Sequence, residues 1–503
     1  MNMFLTKRKL VCAAFACLLL TLAFAMAGCK KEQTTAQPET LKSVQDLANQ
    51  PVAVLTGTVY DFYLQDHHLD QKVLRLNSPA EMLTAVEKGN AQFAIIDSVQ
   101  ILNVDLEEHS LEIVLTLPDC SGDAAVAFAK ESTALCEQFN AFLKAYQASG
   151  QLDSLNERWS TKKLDTVTVR KQKITQGEPL VVGANASNMP FSLIKDNEWT
   201  GFEVEMMQDF GDYIGRPVHF DNYEFTGLIA AVNSHRVDAA ICFMFITEER
   251  AQQVLFSDPY YHCIGICIDR IADNSPVAQK GFGPKIVTGF QRNFIQEERW
   301  KLLVDGFVVT IVISLFSLLF GTILGAGLCY LRMNKRAFWR GLAKVYIDLM
   351  RGIPILVFLM VLFYVVFAST ALSGSVIAII AFSLNLAAYV CEMFRTGIES
   401  VDKGQTEAGR ALGFGKTKTF FLIVVPQALK QILPVYKGEA ISLIKNTSVV
   451  GYIAIQDMTK VSDIIRSRTF DAFYPLIVIS IIYFLMAWLL GKLLDYLCKK
   501  TSK

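Results

Sequence analysis

Between Phe307 and Leu331 the chain runs for about 25 residues without a charged side chain. About 20 consecutive apolar residues suffice for a helix to cross the hydrocarbon of a bilayer, where every backbone amide must bond within its own segment. Two further uncharged runs follow: Ile353 to Cys391, long enough for two spans if Ser369 to Ser375 turns, and Ala472 to Gly491. Gly438 to Gln456 is less clear from hydropathy, because it carries Glu439 and Lys445, and a charge inside a membrane normally faces the interior of a bundle. Arg332, Lys335, Arg336, Arg340, Lys344 and Arg351 crowd one loop, and Lys499, Lys500 and Lys503 end the chain. The excess of basic residues places both on the cytosolic side.

The rest of the chain is of another kind. At 503 residues and 52% hydrophobic content it is too long for one compact domain and too apolar to be wholly soluble. Lys+Arg and Asp+Glu each count 48, so net charge gives no case for nucleic acid as a partner. The 11 cysteines are scattered, with no zinc spacing and no paired framework. Cys263 and Cys267 fall on one face of an expected strand, as core. From about residue 43 to 305, short apolar strands alternate with helical patterns, the signature of α/β sheets. In such sheets ligands gather at the carboxyl ends of strands, which singles out Thr58 and Asp97.

Residues 1–29 read as a signal peptide: Lys7-Arg8-Lys9, an apolar run from Leu10 to Ala27, then Gly28-Cys29. Met26-Ala27-Gly28-Cys29 resembles a lipobox, which implies lipidation at Cys29. Residues 30–42 read as a tether.

Gly404 to Pro434 is a polar, amphipathic stretch caught between apolar runs. A short helix is expected over Gln405 to Leu412, broken by Gly413 and Gly415, and a second over Thr419 to Leu433, kinked at Pro426 and stopped at Pro434. Glu407-Ala408-Gly409, Gly413, Pro426-Gln427-Ala428-Leu429 and Leu433-Pro434 resemble the EAA loop of bacterial ABC-importer permeases. Arg351-Gly352-Ile353-Pro354, Tyr389-Val390-Cys391-Glu392 and the stretch ISLIKNTSVVGYI resemble the polar-amino-acid branch of that family. This resemblance implies about five membrane helices, a homodimer of two such permease domains around a central path, and Glu407, Ala408, Gly409 and Gly413 as the contact with a cytosolic ABC ATPase dimer.

The α/β region resembles the bilobed receptors that feed such importers. Met189-Pro190-Phe191, Gly201-Phe202-Glu203, Gly227-Leu228-Ile229, Ile246-Thr247-Glu248-Glu249-Arg250 and Phe256-Ser257-Asp258-Pro259-Tyr260-Tyr261 match the family's first lobe. Thr56-Gly57-Thr58, Ala94-Ile95-Ile96-Asp97 and the helix near Leu135 to Trp159 match its second lobe and C-terminal helix, so the order is reversed and a circular permutation is expected. Two complete tandem receptors fail on length; a degenerate second copy is the alternative. The fold expected is therefore an α/β bilobed, periplasmic-binding-protein-like receptor over 43–285 (lobe two 43–118, lobe one with its C-terminal-type helix 119–270). A linker at 286–304 and an all-α transmembrane domain at 305–503, carrying the loop at 404–434, complete it.

An amino acid presents a carboxylate and an ammonium, and the cleft must replace the water around both. Arg250 suits the carboxylate, because a guanidinium fork donates two parallel hydrogen bonds and keeps its charge on burial; Asp97 suits the ammonium. By resemblance these two face each other from opposite lobes, with Thr58, Phe191, Phe225, Asn185 and Phe245 around them. The chain departs from the family at Cys242-Phe243-Met244-Phe245, which lacks the usual hydroxyls, at Asn188 in place of an aromatic, and at Asn185 in place of an acid. These neutral amides and phenyl rings disfavour a basic amino acid. Gly413 to Lys418 (GFGKTK) lacks the first glycine of a phosphate loop, Arg410 standing there, so no ATPase is expected in this chain, and no cofactor or metal. The function implied is the receptor and permease of an amino-acid importer in the cytoplasmic membrane, with the receptor outside and the loop and C-terminus in the cytosol. A ligand-gated channel with a bilobed sensor is the alternative; it would have no use for Glu407 to Gly413.

Overall fold

The computed structural model describes residue 41, residues 43–271 except 102, 103, 105, 107, 108 and 162–169, and residues 289–501 except 369, 371, 470 and 472. The expected signal peptide with Cys29, and nearly all of the tether, lie outside the described residues.

The α/β half is two five-stranded sheets joined by two crossing strands, with a small three-stranded ribbon beside the second. Numbered in chain order, the first lobe carries the sheet with Asp97 (the family's lobe two) and the second lobe carries Arg250 (the family's lobe one). In the first, β1 (Val52–Leu55), β2 (Val73–Leu76) and β3 (Phe93–Asp97) are parallel, with α1 (Val59–Asp66) and α2 (Pro79–Glu87) as crossovers. Strand β4 (Leu111–Ala124) then leads out to β5 (Ala127–Phe128) in the second sheet. There β6 (Leu180–Ala184), β10 (Val218–Asn222) and β11 (Ala239–Ala240) are parallel, with β5 and β12 (Leu255–Phe256) antiparallel beside them. A three-stranded ribbon, β7 (Ser187–Asn188), β8 (Ser192–Lys195) and β9 (Glu198–Thr200), lies between β6 and β10 in sequence. The chain finally returns in β13 (Tyr261–Arg270), which hydrogen-bonds between β3 and β4 of the first sheet. The expected boundary at residue 270 therefore shifts, since β13 belongs with 43–118 and not with 119–255. Each sheet is completed by a strand that has just crossed from the other, so neither lobe's sheet closes without its partner. Cys263 and Cys267 are buried in β13 as free thiols.

The single helix expected near Leu135 to Trp159 is two, α3 (Thr133–Ala148) and α4 (Gln151–Thr161). Gly150, at φ +71°, ends the first in the left-handed conformation that glycine adopts without a Cβ penalty. Phe139 of α3 packs at 5.0 Å on Phe210 of α5 (Phe202–Ile214), sealing the second lobe's core.

Among the described residues, four helices are long and apolar enough to cross a membrane, and a bent pair raises the number to as many as five. The longest, α8 (Trp300–Arg332), packs along α11 (Gly374–Glu399) through small residues: a Cβ added at Gly325 would stand 2.6 Å from Val390. Gly325→Leu is expected to lower the unfolding free energy by about 1–3 kcal/mol through overpacking, read as a fall in melting temperature in detergent; an unchanged melting temperature would show that the two helices do not meet there.

The bent pair is α9 (Ala337–Gly352) and α10 (Ile355–Val361, continued as a π-turn over Leu362–Val366), which meet at 105°. Pro354 has no amide hydrogen and holds Ile353 extended (φ −96°, ψ 130°), which breaks the helix. Asn385 on α11 donates to the carbonyl of Met350, freed by the break, at 2.9 Å. The first part of Ile353 to Cys391 is thus a short limb of a bent pair and not a full span, although the chain does turn where Ser369 to Ser375 was expected to.

After α12 (Lys403–Ala411) and α13 (Lys416–Thr419), a π-turn at Phe420–Val424 leads into α14 (Val425–Asn446). Pro434 does not stop this helix, contrary to expectation, and Pro426 sits in its first turn, where a missing amide costs nothing. The uncertain stretch at Gly438 to Gln456 is the far end of this same long segment, spanning Lys416–Ile453. A short helix, α15 (Met458–Thr469), precedes the last, α16 (Phe473–Thr501).

The two halves share a core. Tyr223, Leu228 of α6 (Leu228–Asn233) and Val237, all of the second lobe, form one buried cluster with Leu359, Phe363 and Phe382 of the helical half. Arg236 caps the end of the π-turn after α10: it donates to the carbonyls of Leu372 (3.0 Å), Thr370 (3.2 Å), Phe363 (3.3 Å) and Phe367, and its guanidinium lies 4.5 Å over the Phe363 ring. A cation at a helix C-terminus meets carbonyls that have no partner within the helix.

Candidate functional site

The cleft between the lobes is closed on its own side chains. Arg250, only 7% exposed, sits in α7 (Glu248–Ala251), capped by Thr247, whose hydroxyl accepts from the Arg250 amide at 3.2 Å. Its guanidinium donates across the cleft to the carbonyl of Gly57 in the first lobe (2.8 Å) and to the carbonyl of Phe245 in its own (2.9 Å), and it lies 5.1 Å over the ring of Phe225. Both bonds end on neutral carbonyls, so the buried charge has no ionic partner among the described residues, and burial lowers its affinity for a proton.

Asp97 ends β3 and accepts from the hydroxyl of Tyr60. Burial pushes its carboxyl up to about 7, only partly offset by that hydrogen bond. Between these groups stand rings. Phe245 meets Tyr60 edge-on at 6.3 Å, and Phe243, at φ +51°, lies flat on Phe191 at 3.8 Å. The Phe243 amide donates to the buried Glu203 carboxylate at 2.8 Å, which anchors this turn of backbone. A second bond crosses the lobes from Gln100 to Asn188, at 2.8 Å.

The remaining expected residues divide. Phe225 and Phe245 lie against Arg250, whereas Phe191 is fully buried among Phe202, Phe243 and Tyr261. The hydroxyl of Thr58 is turned to the Leu55 carbonyl at 2.8 Å, and the Asn185 side chain accepts from the Ser187 amide at 2.8 Å, so both serve local backbone. Tyr60, Phe243, Gln100 and Asn188 were missed as cleft residues, or seen only as departures; no spacing signal marks them.

Below the cleft mouth, where both lobes meet the helical half, lies a cavity of about 200 Å³ lined by Thr56, Asn77, Phe225, Tyr452, Lys460 and Arg466 among others. Lys460 and Arg466 both belong to α15. Lys460, 3% exposed, pairs with Glu224 of the second lobe at 2.6 Å; Arg466 pairs with Glu81 of the first lobe at 2.7 Å and with Asp463 at 2.9 Å. Elsewhere in the helical half, α12 stands almost bare. Asp402 caps it by accepting from the Gly404 amide at 2.7 Å. Glu407 and Ala408 are exposed, Leu412 is 77% exposed, and only Gly409 is buried, against Thr419 and Ile423.

A family model described as "Binding-protein-dependent transport system inner membrane component" matches residues 289–503. A permease protein named for a glutamine transport system in Rickettsia bellii is 34% identical over 203 residues, 39% of this chain and 92% of that one. The L-cystine transport system permease protein of Bacillus subtilis is 35% identical over 206 residues, 41% of this chain and 88% of that one. The chain belongs to the binding-protein-dependent permease family. A solved amino acid ABC transporter with histidines matches at 31% identity over 40% of this chain and 94% of that one, with a TM-score of 0.37. The permease half accounts for the helices from residue 289 onward, and the α/β half is an addition ahead of it.

Within the permease half, Glu439 is half-buried and lines a groove of about 460 Å³ with Arg351, Asn385, Tyr389 and Asn446. The ambiguous charge in Gly438 to Gln456 thus faces a polar groove, as an intramembrane carboxylate should.

Proposed function

We propose that this protein is the receptor and the membrane subunit of an ABC importer in a single chain, taking up an uncharged polar amino acid across the cytoplasmic membrane. The observation that carries the reading is the junction: the second lobe and the permease helices share one hydrophobic core, with Arg236 bonded into the carbonyl end of a bent membrane helix. A bilobed unit seated in this way delivers its ligand to the permease without diffusing to it.

Relatives of the permease half are named for glutamine and L-cystine transport, which accords with an uncharged solute, and Asn188, where the two lobes meet, is a neutral amide. The order of the lobes is that of a circularly permuted receptor, the first sheet receiving its last strand only after the second lobe is complete. Arg250 takes the α-carboxylate in place of the Gly57 carbonyl, and Asp97 takes the ammonium in place of the Tyr60 hydroxyl. The ligand then bridges the lobes, as the Arg250–Gly57 bond does now. Hydrolysis belongs to a separate ATPase dimer, engaged through Glu407, Ala408, Gly409 and Gly413 on the bare face of α12. A pair of permease domains surrounds the path, the receptor lies outside the cell, and the amino terminus is held to the membrane by a lipid on Cys29.

A thermal-shift screen of the full chain in detergent against the twenty amino acids tests this. Stabilisation by one or a few uncharged ones is expected, by mass action on the folded state, and stabilisation by none would refute the receptor assignment. The response depends on pH. Only ionised Asp97 accepts from an ammonium, and with a carboxyl near 7 its ionised fraction rises from roughly one tenth at pH 6 to nine tenths at pH 8. Affinity should rise about tenfold over that range and become flat in Asp97→Asn. Stability without ligand runs the other way. The folded state holds this proton more tightly than the unfolded chain, so the contribution is full below about pH 4 and is lost as pH rises through about 7. A flat affinity profile in the parent protein would remove Asp97 from the site.

A further inference from the structure

The two ion pairs at the junction tie one short helix to both lobes. Lys460 holds Glu224 of the second lobe and Arg466 holds Glu81 of the first, so the lobes cannot part by more than the slack of a long side chain without breaking one pair. The Lys460 pair is the more deeply buried, and removing Glu224 would strand a desolvated ammonium. The second lobe is also the one whose core continues into the permease. Opening therefore moves the first lobe, and the Arg466–Glu81 pair gives way.

Arg466 is built to take another acceptor. Its Nη2 is the atom that reaches Glu81 and Asp463, while its Nε is buried with no hydrogen-bond partner among the described residues. Nε and Nη2 form one edge of the guanidinium, the fork that a carboxylate engages with two parallel bonds. Asp463 lies 2.9 Å away on the same helix, a carboxylate beside a guanidinium, which is the charge complement of an α-amino acid. The cavity these groups line holds about 200 Å³, the liquid volume of roughly seven water molecules.

We propose that this cavity is a second amino-acid subsite, in which the Nε/Nη2 edge of Arg466, released from Glu81 as the first lobe swings away, takes the α-carboxylate of the solute and Asp463 takes its ammonium. The subsite rests on the importer reading above and adds a station between cleft and membrane path. The ligand leaves the Arg250 fork for a second fork that becomes free only when the cleft opens, so release from the first site and capture at the second are one movement.

Uptake of radiolabelled L-glutamine by the full chain with its ATPase in proteoliposomes tests the proposal. In Arg466→Gln the maximal rate should fall more than tenfold while KM, and L-glutamine binding in detergent, stay within twofold of the parent; retained binding shows that the variant is folded. Glu81→Gln removes the charged competitor for the same edge from the cavity wall while leaving Arg466 and Asp463, the groups that hold the solute, in place, and should keep or raise the maximal rate. If Glu81→Gln falls as far as Arg466→Gln, the arginine only fastens the lobe and the subsite is overturned. The same follows if Arg466→Gln keeps more than half the rate. No binding of any of the twenty amino acids to the parent protein refutes the importer reading itself, and the subsite with it.

Discussion

Arg250→Ala is expected to lower amino-acid affinity by roughly 100-fold or more and to abolish ligand-induced stabilisation. Two hydrogen bonds from a guanidinium to a carboxylate contribute on the order of 3 kcal/mol together, even at the low end of charge-assisted bonds, which is about two powers of ten in affinity. Ala also removes the bond to the Gly57 carbonyl, one of the contacts that now hold the lobes together. The unliganded cleft should therefore open more readily while binding less, a combination that simple unfolding does not give. Isothermal titration of the full chain, with a parallel measurement of melting temperature, separates the two. Unchanged affinity would mean that Arg250 serves only to latch the lobes.

Gly413→Val should reduce uptake below roughly one tenth and leave ligand binding intact. Gly413 sits at φ +83° just beyond the end of α12, and the Phe414 amide returns to the Gly409 carbonyl at 3.1 Å to close the helix. A Cβ there meets no atom within 4 Å, so the effect comes from backbone strain and not from crowding. A β-branched residue in this conformation costs about 1–3 kcal/mol, which the exposed loop relieves by changing its course. The bare side of α12 then no longer presents Ala408 and Leu412 at the angle an ATPase groove needs. ATP-driven uptake beside equilibrium binding checks this; uptake near the parent level would remove α12 from the coupling.

Much of the architecture was legible because membrane helices and parallel sheets write themselves in long or regular patterns. The run from Phe307 to Leu331 could be nothing but a span, and the turn near Ser369 to Ser375 followed from the length of the run around it. Pro434 misled because proline in water-exposed helices is a reliable stop, whereas here the helix continues through it to Asn446. Arg250 and Asp97 could be read as a pair from charge and strand ends. What filled the space between them could not: Phe243 reaches Phe191 through a left-handed backbone turn, and Tyr60 reaches Asp97 across 37 residues of sequence. The junction was hidden for a similar reason. Lys460, Arg466 and Arg468 crowd a segment between two apolar runs, and that local excess of cations was a usable signal, but their partners Glu224, Glu81 and Glu297 lie far away in the chain.

The fusion itself is tested most directly by transport with no added receptor. The full chain, reconstituted into liposomes with its ATPase alone, should accumulate an uncharged amino acid in an ATP-dependent way and gain nothing from a separate binding protein. Accumulation that requires a separate binding protein, or a flux that proceeds without ATP, would contradict a receptor and importer joined in one chain.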